Sequence, residues 1–326
     1  MTELATRLAA LVEDTGFSGV VRVRGHESVD IAAGDAHRAE RRPVRPTTRF
    51  ATASGTKGFT ALTILALVEA DELALDSTVR SILGNDLPNV DEAVTIEHLL
   101  GHRSGIGDYL DEDELDDIDA HILGSRSVHG FDAPTAFLGL LGDPPQREVP
   151  GTTFRYNNSG FVLLSIIIER LTGSFVDAVG DRVFDPAGMT DSGFFRSDDL
   201  PADVAVGYLE NGRSNVFHLP VIGAGDGGAY TNVDDLDRFW DALLAGSIVS
   251  PSTVERMTTP ISTHEGDTGY GLGCWVSTDG DHVWLEGMDA GVSLVTGFRR
   301  TDGLRYSVLS NTSSGVWPLA KAVLGA

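Results

Sequence analysis

Ser54-Gly55-Thr56-Lys57 stands at the head of an apolar run, Phe59 to Val68. A spacing of three puts a serine and a lysine on one helical face. A serine hydroxyl is a weak nucleophile that needs a base beside it. A lysine walled in by apolar residues gives up its charge readily and can act as that base. The start of a helix also favours negative charge developing at Ser54. Lysine is scarce in this chain: Lys57 and Lys321 are the only two among 24 basic residues. The rest are arginines, which do not deprotonate in a protein. A lysine kept at position 57 therefore reads as chemical, and Lys321 near the end as incidental.

A second element is Tyr156-Asn157-Asn158, after Pro150-Gly151-Thr152-Thr153-Phe154-Arg155. A phenol beside a cationic lysine is favoured as phenolate, so Tyr156 is expected to take and return the nucleophile's proton. Asn158 offers a donor and an acceptor to a substrate carbonyl or amide. Other candidates are weaker. Cys274, the single cysteine, sits in Leu272-Gly273-Cys274-Trp275-Val276, which reads as a buried strand. His264, Glu265 and His282 lack metal-ligand spacing, and no H-E-x-x-H occurs. The run Gly223 to Gly228 lacks the lysine of a phosphate loop, and His102 reads as a structural hydrogen-bonder. No cofactor or metal is expected.

The elements that must hold these residues follow from periodicity. Leu4, Leu8, Leu11 and Val12 recur at helical spacing, with Gly16 as a stop. Gly19 to Arg24 and Ser28 to Ala32 read as a hairpin. From Val68 to about residue 245 the pattern is mostly helices and loops, including helices opened by Thr95, over Phe161 to Leu171 and over Asp234 to Leu244. Strands return at Leu272–Ser277, His282–Gly287, Val292–Phe298 and Arg305–Asn311, and a helix from Val316 to Leu324 closes the chain. The amino-terminal hairpin is expected to join the late strands in one sheet. The 326 residues are 41% hydrophobic, enough for a real core.

A net charge of −24 makes nucleic acid and anionic membranes poor partners. The amino-terminal run Met1-Thr2-Glu3-Leu4-Ala5 is neither basic nor apolar, and one cysteine allows no intrachain disulfide. A cytoplasmic protein acting on a small molecule is the expectation, with the oligomeric state left open. The acidic stretch Asp111 to Asp119 reads as a solvated face, with attraction of cations as the alternative.

Several segments together resemble the class C β-lactamase family of serine hydrolases, which includes D-alanyl-D-alanine carboxypeptidases, D-amino-acid peptidases and esterases. Phe50 to Lys57 is similar to its nucleophile segment, Thr95 to Ile106 to its helix-and-turn signature, and Pro150 to Asn158 to its tyrosine loop. Gly188 to Ser192, Gly227 to Thr231 and Tyr270 to Gly273 fall in the family's order, and the likeness runs from about residue 17 to 312. The resemblance implies an α/β (α+β) β-lactamase-like fold, an antiparallel sheet flanked by helices with an all-helical subdomain inserted. The division expected is one domain over 1–326, with an α/β part near 1–60 and 250–326 and a helical part near 61–249. It also implies that Ser54 is acylated, that Lys57 and Tyr156 manage its proton, and that Asn158 holds substrate.

One departure stands out. The family's third motif places His or Lys two residues before a glycine; here the stretch is Trp284-Leu285-Glu286-Gly287-Met288-Asp289. Leu285 takes the cation's place, and Glu286 or Asp289 would repel a carboxylate. Gly287 still admits substrate to the strand, and the backbone N–H of Met288, with that of Ser54, is the expected oxyanion hole. The resulting expectation is hydrolysis of a neutral or cationic ester or amide rather than a β-lactam. The alternatives are an acyltransferase of the same family and a catalytically idle ligand-binding relative.

Overall fold

The computed structural model describes residues 2–120 and 127–325; Met1 of the amino-terminal run lies outside them. The strands are β1 (Gly19–Arg24), β2 (Val29–Ala33), β3 (Asp35–His37), β4 (Arg42–Pro43), β5 (Phe50–Ala51), β6 (Gly193–Phe194) and β7 (Ala229–Thr231). They continue with β8 (Ser262–Thr263), β9 (Thr268–Tyr270), β10 (Trp275–Ser277), β11 (His282–Asp289), β12 (Val292–Arg299) and β13 (Arg305–Ser310). The helices are α1 (Glu3–Thr15), α2 (Thr56–Glu69), α3 (Val79–Leu83), α4 (Ile96–Leu100), α5 (Leu138–Leu141) and α6 (Asn158–Thr172). After these come α7 (Phe175–Val179), α8 (Asp185–Ala187), α9 (Val233–Leu244), α10 (Pro251–Met257) and α11 (Trp317–Leu324).

The main sheet runs β2-β1-β13-β12-β11-β10-β9-β8, every neighbour antiparallel. The amino-terminal hairpin does join the late strands, through β1 against β13 with Val21 opposite Val308. Side chains alternate across a strand, so adjacent apolar residues feed opposite cores. Val21, Val295 and Val308 pack under α1 and α11 with Leu8 and Leu319. Their neighbours Val20, Leu294 and Leu309 face the larger core that contains α2, α6 and α9.

Helix α2 is apolar on nearly all sides because it is enclosed on all sides. Phe59 meets the edges of Phe184 and Phe239, each at 5.2 Å between ring centres. Caps fix where the helices start. Thr95 Oγ1 accepts from His98 N, Asn157 Oδ1 from Gly160 N, and Asn232 Oδ1 from Asp235 N. Gly16 and Gly173 end α1 and α6 in left-handed conformations.

Two sequence expectations change. The stretch read as helices and loops also holds β6 and β7, which pair with β5 in a small three-stranded sheet. Residues Leu272 to Cys274 are not strand; β10 begins at Trp275. Gly273 has φ +85°, and a Cβ there would collide with Ala61 of α2, so the chain bends beneath that helix before entering the sheet. Cys274 is buried against the carbonyl of Met257, and burial pushes its thiol up to about 12, the state of a packing residue. No helix among the described residues is long and apolar enough to cross a membrane.

Candidate active site

Ser54 sits in a single 3-10 turn, Ala53–Gly55, between β5 and α2. Ala53 is held at φ +44°, an uncommon conformation for a residue with a side chain. Thr52 and Thr56 enforce it. Thr52 Oγ1 reaches Thr56 Oγ1 (2.9 Å) and Ala229 O (3.0 Å), and Thr56 Oγ1 accepts from Ala229 N (3.1 Å). From the other side β11 closes on the turn. A Cβ on Gly287 would lie 2.5 Å from Ser54 N and from Thr52 O. Only glycine lets the strand come this near, so Gly287 seats Ser54, while Met288 beside it is 44% exposed at the mouth of the site.

Lys57, one turn into α2, is 2% exposed. Its ammonium donates to Ser54 Oγ (2.8 Å), Asn158 Oδ1 (2.8 Å) and the Asp226 carbonyl (3.0 Å). Burial pulls its proton affinity down, against the opposing pull of Asp226, Glu112, Asp108 and Asp289. Asn158 opens α6 and has its amide engaged on both sides. Its Nδ2 donates to Leu110 O (2.8 Å) and Glu112 Oε1 (3.1 Å), which fixes its oxygen toward Lys57. In this arrangement Asn158 supports Lys57.

Tyr156 lies beside both, its ring centre 4.9 Å from Lys57 Nζ. The ring is held between His102 (4.4 Å) and Trp275, which lies parallel at 5.9 Å. His102 Nδ1 accepts from Asn157 N (3.1 Å), consistent with a structural role. The expectation of a phenolate is corrected. Burial, with the negative charges of Glu112 and Glu286, holds Tyr156 well above the ordinary phenol range, so it rests as a phenol.

Leu285 and Glu286 point to opposite sides of β11. Leu285 is buried, its methyls 2.6 Å from where a Cβ of Gly58 would stand, so hydrocarbon seals the flank of α2. Glu286 is partly buried and accepts from Trp284 Nε1 (2.9 Å). Two solvent-open cavities meet at Ser54. One includes Glu112, Asp226 and Asp289 among walls of Leu110, Phe195 and Tyr230. The other is lined by Tyr156 and Trp275 with Asp111, Glu112, Asp113 and Glu286. Among the described residues no lysine or arginine lines either cavity. Burial pushes the Asp289 carboxyl up to about 7.

The acidic run is therefore more than a solvated face. Asp111 is clamped by Arg147 (2.5 Å) and Arg155 (2.8 Å), which lays the run across the entrance and brings Glu112 to Asn158. Sequence reasoning also missed Asp108, Tyr109 and Asp226. The one available signal for Asp226 was a lone charge inside the glycine-rich run at 223–228. No group of three or more potential metal ligands occurs among the described residues.

Comparison with known proteins identifies the family. The family model described as Beta-lactamase matches residues 4–322. Penicillin-binding protein 4* of Bacillus subtilis (strain 168) is 30% identical over 296 residues, covering 84% of this chain and 62% of its own length. Esterase EstB of Burkholderia gladioli is 30% identical over 312 residues, covering 83% of this chain and 79% of its own. The chain spans 62% and 65% of the first two curated relatives' lengths. A penicillin binding protein from Bacillus halodurans superimposes with a TM-score of 0.91 at 36% identity, covering 98% of this chain and 99% of that one.

Proposed function

The chain belongs to the Beta-lactamase family, and from that premise we propose that it is a serine hydrolase that opens an ester or amide through an acyl-enzyme on Ser54. One observation carries the reading. Lys57 Nζ has three acceptors, and two of them, the Asn158 amide oxygen and the Asp226 carbonyl, hold no hydrogen. When Lys57 is a free amine, its lone pair has one partner able to donate, the hydroxyl of Ser54. This geometry supports passage of the Ser54 proton to Lys57.

The cycle follows. Ser54 Oγ attacks the carbonyl carbon as its proton passes to Lys57. The oxyanion takes the N–H groups of Ser54 and Met288, residues brought near each other by the close approach at Gly287. Tyr156, resting as a phenol, donates to the leaving group as the C–O or C–N bond breaks, and the proton on Lys57 restores it. Water then attacks the acyl-enzyme with the same groups working in reverse.

The substrate this site fits is neutral or cationic. Carboxylates line both cavities, and Leu285 provides no cation for a substrate carboxylate. This disfavours β-lactams and peptides with a free carboxyl end. Turnover of p-nitrophenyl esters by the wild type, Ser54→Ala and Lys57→Ala tests the reading. Loss in both variants supports it; turnover that survives in either refutes it.

A further inference from the structure

Asp226 and Tyr109 have no part in the cycle above, yet they hold its base in place. The Asp226 backbone carbonyl takes one N–H of Lys57, and its carboxylate takes the hydroxyl of Tyr109 (2.5 Å). Tyr109 N donates to Ser159 Oγ (2.9 Å), and Ser159 donates to Asp108, which also accepts from the first N–H groups of α6. The next residue, Leu110, gives its carbonyl to Asn158 Nδ2 (2.8 Å), and Asn158 Oδ1 takes a second N–H of Lys57. The two acceptors other than Ser54 thus belong to one closed circuit, stitched by the bond between Tyr109 and Asp226.

This bond also decides which part of Asp226 faces the lysine. Asp226 is 8% exposed and borders the cavity beside Ser54. A carboxylate so near a buried ammonium is drawn into a direct ion pair, which would pull Nζ away from Ser54. The phenol of Tyr109 instead holds the carboxylate by Oδ2, and the contact to Lys57 is made by the neutral carbonyl. The charge stays near enough to stabilise the ammonium formed when Lys57 takes the Ser54 proton.

We propose that Asp226 and Tyr109 are positioning residues for Lys57: the carboxylate supports the transient ammonium, and the phenol keeps that carboxylate from capturing it. The inference rests on the reading of Lys57 as the base. Asp226, Glu112, Asp108 and Asp289 all favour the ammonium form of Lys57. Glu112 and Asp108 face it from the loop after α4, Asp289 from the end of β11, and Tyr156 and His102 from the loops before α6 and after α4. None of these is altered by the variants used below.

The test is the pH profile of kcat/KM on a p-nitrophenyl ester for the wild type, Asp226→Asn, Tyr109→Phe and Lys57→Ala. Asn keeps the carbonyl contact and still accepts from Tyr109, but removes the charge. Its acid limb is expected to move to lower pH by about one unit, with kcat at the plateau reduced. Tyr109→Phe keeps the charge and frees it to pair with Lys57, so its limb moves to higher pH while kcat falls and KM changes little. A purely structural role would lower activity in both variants without moving either limb, and that result overturns the proposal. Should Asp226→Asn not fold, an unmoved limb in Tyr109→Phe overturns it alone. A Lys57→Ala profile like that of the wild type refutes the base assignment itself, which is a separate failure.

Discussion

Substituting Ala for Gly287 tests whether β11 seats the nucleophile. The added methyl would stand 2.5 Å from Ser54 N and Thr52 O and 2.8 Å from Gly55 N. An ordinary contact begins near 3.4 Å, so strand and turn must part by nearly an ångström. All three atoms are backbone, and the threonine bonds fix the turn on its far side, so no side chain can rotate to relieve the clash. Overpacking of this kind costs about 1–3 kcal/mol. In a chain of this size each kcal/mol lowers the melting temperature by roughly 2 °C, so a fall of about 2–6 °C is expected. The effect on catalysis is larger, because a shift of about 1 Å at the reacting atoms costs on the order of a hundredfold in rate. The assay is a thermal melt alongside ester turnover. Gly180→Ala serves as the control, since a Cβ there meets nothing within 4 Å and its φ is helical. Gly287→Ala with wild-type turnover would refute the close approach of β11 to Ser54.

Asp289→Asn should stabilise the protein at pH 8 and leave it nearly unchanged at pH 4. The folded carboxyl titrates at about 7 against an ordinary value of 3.8, so it opposes folding as pH rises between them and not below. Melts of both proteins at the two pH values check this, and an equal gain at each would contradict it. An ester carrying an ammonium group should be hydrolysed about tenfold faster in kcat/KM than its carboxylate-bearing isostere, and the gap should narrow with added salt. Parity of the two at low salt would remove the case for an acidic site. Glu112→Gln should improve turnover of the carboxylate ester relative to the ammonium one, because Glu112 borders both cavities; an unchanged ratio would exclude it from substrate selection.

Local signals were legible in the sequence where they had local causes. The cap at Thr95 and the stop at Gly16 are set by neighbours in the chain. Ser54 and Lys57 were legible because three residues span one helical turn. The supports of Lys57 were not. Asp226 lies 169 positions from it and Asn158 lies 101. Asp226 contributes first a backbone carbonyl, which no residue type announces. Glu112 was hidden in a run of like charges, and its role depends on Arg147 and Arg155 clamping Asp111. The phenolate expected at Tyr156 failed for a related reason. Proximity to a lysine was readable, but the burial and the carboxylates that outweigh it belong to the assembled site.

The most direct measurement of the central claim is peptide mapping by mass spectrometry after exposure to a fluorophosphonate probe, which captures an activated serine. The account predicts a single adduct on the peptide containing Ser54, absent in Ser54→Ala and formed far more slowly in Lys57→Ala. An adduct that persists on the same peptide of Ser54→Ala, or that forms at the wild-type rate without Lys57, would contradict it.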